Sequence, residues 1–190
     1  MELGLKEITV DIKLSVFIAA SLDGYIARYN GKLDWLETNS NQHNATEDYG
    51  YEALISSVDC VVMGRNTFEK VVSFPTWPYH NKRLIVLSRR WKQIPDQFAD
   101  LAELYSGKVE LLTVELQNQG VRRVYIDGGV TIQSFLQAGL LSDITITTVP
   151  VLLGGGIPLF TTARSDIKLE LVKSQSFESG FVQSQYNFKR

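Results

Sequence analysis

Three short stretches place glycines, hydroxyls and arginines where an apolar run stops. Met63-Gly64-Arg65-Asn66-Thr67 follows CVV, Leu87-Ser88-Arg89-Arg90 follows RLIV, and Asp127-Gly128-Gly129-Val130-Thr131 follows RRVYI. Glycine lets a backbone approach a ligand closely, and a helix start just beyond it offers free N–H groups at a positive dipole end. Arginine adds a two-point phosphate donor. The chemistry is the holding of an anion. Each stretch alone also describes an ordinary turn; the three together point to one phosphate-bearing ligand. Gly128-Gly129 is not GxGxxG, so the usual dinucleotide fingerprint is absent.

The elements that must carry these stretches alternate along the chain. LSVFIAAS (14–21), DCVVMG, RLIVLS (83–88) and RRVYID read as buried strands, being short, continuous and β-branched. YEALISS (51–57) has helical spacing, and Asn66 with Glu69 forms a capping-box-like pair that predicts a helix through FEKVV. In ADLAELYSGKVELLTVELQNQG, Val109, Leu112 and Leu116 fit a helical face ended by Gly120, while Leu111 and Thr113 fit a strand nearly as well; helix is the reading adopted. VTIQSFLQAG is a helix ended by Gly139, DITITTVPVLL a strand, and IKLELVKS with FVQSQYNFKR a closing strand pair. That order predicts a mostly parallel sheet covered on both faces, with an antiparallel carboxyl-terminal edge. Ligands bind such sheets beyond the carboxyl ends of the strands, where all three stretches fall. Ser88 with two guanidiniums suits a phosphate monoester, such as the 2′-phosphate that distinguishes NADP from NAD.

Composition narrows the partners. At 190 residues the chain reads as one domain, 1–190, with residues 1–12 as an extension ahead of the core. A net charge of −2 gives no global electrostatic case for nucleic acid or an anionic membrane. No stretch reaches the ~20 apolar residues of a membrane span, and the amino terminus lacks a signal-peptide pattern, which predicts a cytoplasmic protein. Cys60 sits in an apolar run as a buried thiol, and His43 and His80 lack ligand spacing, so no metal is assigned.

VVMGRNTFE, RLIVLSRR and VYIDGGVTIQSFL, in that order, resemble the dihydrofolate reductase fold, and SLDGYIA followed by GKLDW resembles its nicotinamide-side loop. LDGYIA and PVLLGGGIPLF (150–160) resemble more closely the reductase domain of riboflavin-biosynthesis deaminase–reductases. The resemblance implies a three-layer α/β/α fold, NADPH as cofactor and a homodimer through the carboxyl-terminal strands. It places Ala19 and Ala20 beside the nicotinamide, Gly64, Arg65 and Thr67 on pyrophosphate and adenosine-side phosphate, and Ser88 and Arg89 on the 2′-phosphate. Gly128, Gly129, Val130 and Thr131 cradle the pyrophosphate.

Counting back from Gly64 without a gap, the family's acidic position falls on Asp48 and its partner threonine on Thr147. An apolar setting there would raise the Asp48 carboxyl toward working pH; the plain alternative is a solvated acid at the positive end of YEALISS. Trp77 and Tyr79 either line the pocket or cap the core. The stretch from Trp35 to Asp48 is longer than in ordinary dihydrofolate reductases, and Lys82 stands where that family grips folate with arginine. No H-x-E or P-C-x-x-C deaminase signature is present. These features predict hydride transfer to a C=N or C=O carbon of a pterin-, pyrimidine- or ribose-bearing metabolite. True dihydrofolate reduction and a non-catalytic NADPH-binding module are the rivals.

Overall fold

The computed structural model describes residues 11–36, 47–161 and 165–189. Its strands are β1 (Lys13–Ser21), β2 (Tyr25–Ala27), β3 (Cys60–Gly64), β4 (Arg83–Leu87), β5 (Glu103–Tyr105), β6 (Arg123–Asp127), β7 (Asp143–Val149), β8 (Ile157–Pro158), β9 (Leu169–Ser176) and β10 (Val182–Phe188). The helices are α1 (Tyr51–Ser57), α2 (Arg65–Val71), α3 (Val109–Asn118) and α4 (Gly129–Gln137). Eight strands form one sheet in the order β5-β4-β3-β6-β1-β7-β10-β9, and β2 pairs with β8 beside it. From β5 to β7 every pairing is parallel, while β10 runs antiparallel to both of its neighbours. This is the mixed α/β architecture expected, with its antiparallel edge at the carboxyl end.

The β-branched runs are continuous because their strands are buried on both sides. Val62, Ile85, Val124, Ile126 and Ile144 pack beneath α3 and α4. Their neighbours Val61, Met63, Leu84, Val86 and Tyr125 pack on the opposite face with α1 and α2. Every β–α crossing therefore emerges at the same edge of the sheet.

Three local differences from the sequence reading have physical causes. The segment read as one helix before Gly120 begins with the short strand β5, and only Val109–Asn118 is helical. Arg83 of β4 holds β5 through a two-point ion pair with Glu103, at 2.7 and 2.8 Å. Helix α2 starts at Arg65 with Gly64 as its N-cap residue, so Asn66 lies inside the first turn and Glu69 pairs with Arg65 instead. Finally, β9 carries a register shift opposite Gln185 and Tyr186. Leu171 pairs with Tyr186 and Lys173 with Gln185, which leaves Val172 as an extra residue.

A third apolar cluster closes the site end of the sheet. Tyr49 stacks on Phe181 at 5.1 Å and meets Phe177 edge-on at 4.9 Å, which ties the start of α1 to the β9–β10 hairpin. Trp35 and Val149 pack into the same cluster. Phe181 is fully buried there. Phe181→Ala is expected to cost about 3–5 kcal/mol, measured by guanidinium denaturation.

Candidate active site

The three sequence stretches leave β4, β3 and β6, which are adjacent in the sheet. Two of the crossings are packed into each other. A Cβ on Gly128 would collide with the Thr67 hydroxyl, and one on Gly64 would lie 3.0 Å from Thr131 Oγ1. Each helix start thus lends a threonine to the other's glycine. Gly128 has a second reason to be glycine, its φ of +88°. Gly64 has an ordinary extended backbone, φ −79°, and only lack of space requires glycine. Gly129 is crowded by Ile26 of β2. The glycines therefore serve the approach of the two crossings, and the cradle is a consequence of that approach.

Neither α2 nor α4 has a side-chain cap at its start. Their first N–H groups face the carboxyl edge without a local acceptor, as an anion site requires. Val130, in the first turn of α4, is 74% exposed at its mouth. The basic turn after β4 is built differently from expectation. The Ser88 hydroxyl accepts the N–H groups of Arg90 (3.2 Å) and Trp91 (3.1 Å), so it shapes the turn. Trp91 anchors that turn edge-on against Phe68 at 6.0 Å, leaving Arg89 and Arg90 exposed. Arg65 is engaged with Glu69 at 2.7 Å.

The central slot comes from two strands parting. The β1–β6 ladder ends at Val16 and Ile126, whereas β1 stays paired with β7 as far as Ser21 and Val149. Odd-numbered residues of β1 turn their backbone toward β6: Lys13 N–H donates to Arg122 O, and Phe17 O accepts the Tyr125 hydroxyl at 3.0 Å. By the same alternation Ala19 directs its N–H and C=O into the gap beyond Ile126. Ala20 does not; its backbone belongs to the β7 ladder, and its side chain is buried on the other face. Asp23 fixes the loops beside the slot. Its carboxylate accepts from Ser21 Oγ (2.6 Å), Leu153 N (3.1 Å) and Gly154 N (2.8 Å). These hydrogen bonds, the Ser21 hydroxyl first, hold its pKa below the usual value.

Asp48 and Thr147 are occupied separately. Asp48 accepts the N–H groups of Gly50 (2.9 Å) and Glu52 (2.7 Å), which pin the start of α1 and hold its carboxyl below the usual range. That direction is opposite to the rise expected of an apolar pocket acid. Thr147 Oγ1 accepts from Gln183 Nε2, which also reaches Tyr49 O, both at 2.9 Å. The gapless count missed a local cause: Asp48-Tyr49-Gly50 is a turn, with Tyr49 at φ +55° and Gly50 at +88°.

The carboxyl displaced upward is Asp127, at the foot of the Gly128–Gly129 cradle. Burial raises its pKa, against the N–H of Gly128 (2.7 Å) and the hydroxyls of Tyr125 and Tyr79. Tyr79 donates to Asp127 Oδ2 at 3.3 Å, which places the loop tyrosine at the site edge and not on a substrate face. Burial pushes the neighbouring Tyr51 hydroxyl up to about 12. Sequence reasoning quoted Asp127 and used only the glycines after it; an acid directly before paired glycines was the available signal.

This is a slot between parted strands on a dihydrofolate reductase-like scaffold. The fold matches dihydrofolate reductase from Enterococcus faecalis with a TM-score of 0.65, 20% identity and coverage of 94% of this chain and 97% of that one. The chain belongs to the RibD C-terminal domain family, whose model matches residues 12–183. A putative riboflavin biosynthesis protein from Shewanella sp. PV-4 is 43% identical with a TM-score of 0.87, over 94% of this chain and 100% of that one. The uncharacterized protein YwjB of Bacillus subtilis (strain 168) is 32% identical over 168 residues, 87% of this chain and 92% of its relative.

Asp48→Ala tests the capping assignment. A carboxylate whose folded pKa lies below its unfolded 3.8 stabilises fully above that value, and the benefit fades as pH falls through the folded one. The variant is expected to lose ~1 kcal/mol near neutral pH. Urea melts should show the difference closing below pH 3.8.

Proposed function

We propose that the protein is an NADPH-dependent reductase acting on a C=N or C=O carbon of a pyrimidine-, pterin- or ribose-bearing metabolite. It stands nearest the riboflavin-pathway reductases. The observation that carries this reading is the backbone edge of Ala19, freed from the sheet and facing two uncapped helix starts, in a member of the RibD C-terminal domain family. A similar fold from Thermotoga maritima is named a deaminase and 5-amino-6-(5-phosphoribosylamino)uracil reductase; this chain spans 57% of it at 14% identity. Lys82 argues against folate as substrate, since its ammonium donates to Val58 O at 2.9 Å and lacks the two-point geometry of a guanidinium.

The residues divide the work by position. The Ala19 backbone meets the nicotinamide carboxamide. The first N–H groups of α2 and α4, with Gly64, Thr67, Gly128, Gly129, Val130 and Thr131 around them, hold the pyrophosphate. Arg89, with Ser88 shaping its turn and Arg90 beside it, takes the 2′-phosphate, and Arg65 approaches from α2. Bound NADPH supplies hydride to the electrophilic carbon. The heteroatom of that carbon then needs a proton, and Asp127 is the group whose burial favours the protonated form. Asp48 is left with the helix cap. Two copies of the cytoplasmic enzyme would pair through β9, the outer strand, where Leu171 and Val172 are exposed.

Mixing the protein with NADPH and a ribosylaminopyrimidine or dihydropterin, and following cofactor absorbance, tests the reading directly. Oxidation supports it; binding without oxidation across the panel makes the chain a cofactor-binding module. Replacing Arg89 and Arg90 together by alanine is expected to weaken NADPH binding roughly 10- to 100-fold while sparing NADH, read by calorimetry. Asp127→Asn is expected to lower turnover ~10²-fold or more with cofactor affinity retained. The wild-type rate should fall as pH rises through the Asp127 pKa, and the variant should lose that limb. An equal loss in Asp48→Asn would return the proton to Asp48.

A further inference from the structure

We propose a second ligand site, for a small planar monoanion with amide-type edges, on the open face of β7, β10 and β9. The register lays its side chains out in rows. Thr145, Gln185 and Lys173 form one row across the three strands, and Thr147, Gln183 and Gln175 the next. Among the described residues no helix covers these rows. Instead α1 stands beside them, so that Gly50, Ala53 and Leu54 form a wall and Phe17 part of the floor of a recess of about 330 Å³. That is the lower end of small-ligand sites.

Most of the polar groups around this recess are unspent. Gln183 is committed to Tyr49 and Thr147. Thr145, Gln175 and Gln185 are half-buried, and among the described residues their side chains have no hydrogen-bond partner. Their polar atoms reach solvent and can exchange water for a ligand. Lys173 has no carboxylate within ion-pair distance among the described residues. The other charged lining residue, Arg123, is held by Ser15 and Ser57 and lies 4.0 Å from Asp143. Among the described residues no carboxylate lines the recess. Donors and acceptors at the rim with one spare cation complement a ring that carries C(=O)–NH edges and one carboxylate or phosphate.

The cationic end of the recess lies away from the cofactor slot, although Phe17 borders both. Lys173 lies three strands and one row away from Ala19, roughly 16 Å at ~4.8 Å per strand and ~3.4 Å per residue. Its ligand therefore does not depend on NADPH or on the reductase reading.

Orotate, a planar pyrimidine carboxylate, is the probe. Calorimetry of the full chain without nicotinamide cofactor is expected to give one site per chain. Lys173→Ala should weaken it about tenfold or more, Gln185→Leu should weaken it as well, and uracil, which lacks the carboxylate, should bind as poorly as orotate binds Lys173→Ala. Lys173 is exposed, so its replacement leaves the fold intact by circular dichroism. Amine acetylation followed by mass spectrometry should find Lys173 protected by orotate. Absence of heat, an unchanged affinity in Lys173→Ala, or protection that follows protein concentration and not orotate would each overturn the proposal, the last by showing a second copy on this face.

Discussion

Two threonines set against two glycines govern everything at the carboxyl edge of this sheet. Thr67 fills the space that a Cβ on Gly128 would take, and Thr131 does the same for Gly64. Because α2 and α4 begin on each other, their first turns point the same way from neighbouring strands. A side chain added at either glycine would push the helix starts apart. The positions of Arg65, Val130 and Asp127 all follow from this contact, since each lies within two residues of one of the four. Close packing of this kind has no soft direction: a shift at one crossing is passed on to the other.

The slot beside that contact is a matter of strand length. β6 ends at Asp127 in order to turn into α4, while β1 runs on beside β7. A backbone edge deep in a sheet is ordinarily saturated, so an unpaired one in the middle is a vacancy for hydrogen bonding. The same early turn leaves Asp127 enclosed at the strand end, where burial raises its pKa. The unpaired backbone edge and the buried acid thus have one structural origin.

Much of this was legible in the sequence. The buried strands were readable because continuous β-branched runs have few other stable uses, and the three crossings because glycine and arginine at a strand exit are unusual in a plain turn. What escaped was either short or spatial. β5 has three residues and depends on Arg83 from another strand, so no local pattern marks it. The gapless count to Asp48 assumed constant geometry across a turn that two positive-φ residues reshape. Asp127 was in plain sight, but its raised pKa comes from burial, which outweighs the hydroxyls of Tyr125 and Tyr79, and sequence spacing does not report enclosure. Ser88 was read for its hydroxyl, whose oxygen also accepts two N–H groups of the turn, a second role that spacing does not report.

The register shift in β9 has a consequence for how relatives should be aligned. Were Val172 paired regularly with Gln185, strict alternation would put Lys173 opposite Ser184, on the side of the sheet that carries Tyr186 and Phe188. The insertion inverts the phase midway, so Leu169 and Leu171 face one way and Lys173 and Gln175 the other. A homologue one residue shorter at this point keeps its lysine opposite Gln185. One of equal length that lacks the bulge has carried an ammonium group through the plane of the sheet, and the two molecules no longer offer the same face to solvent.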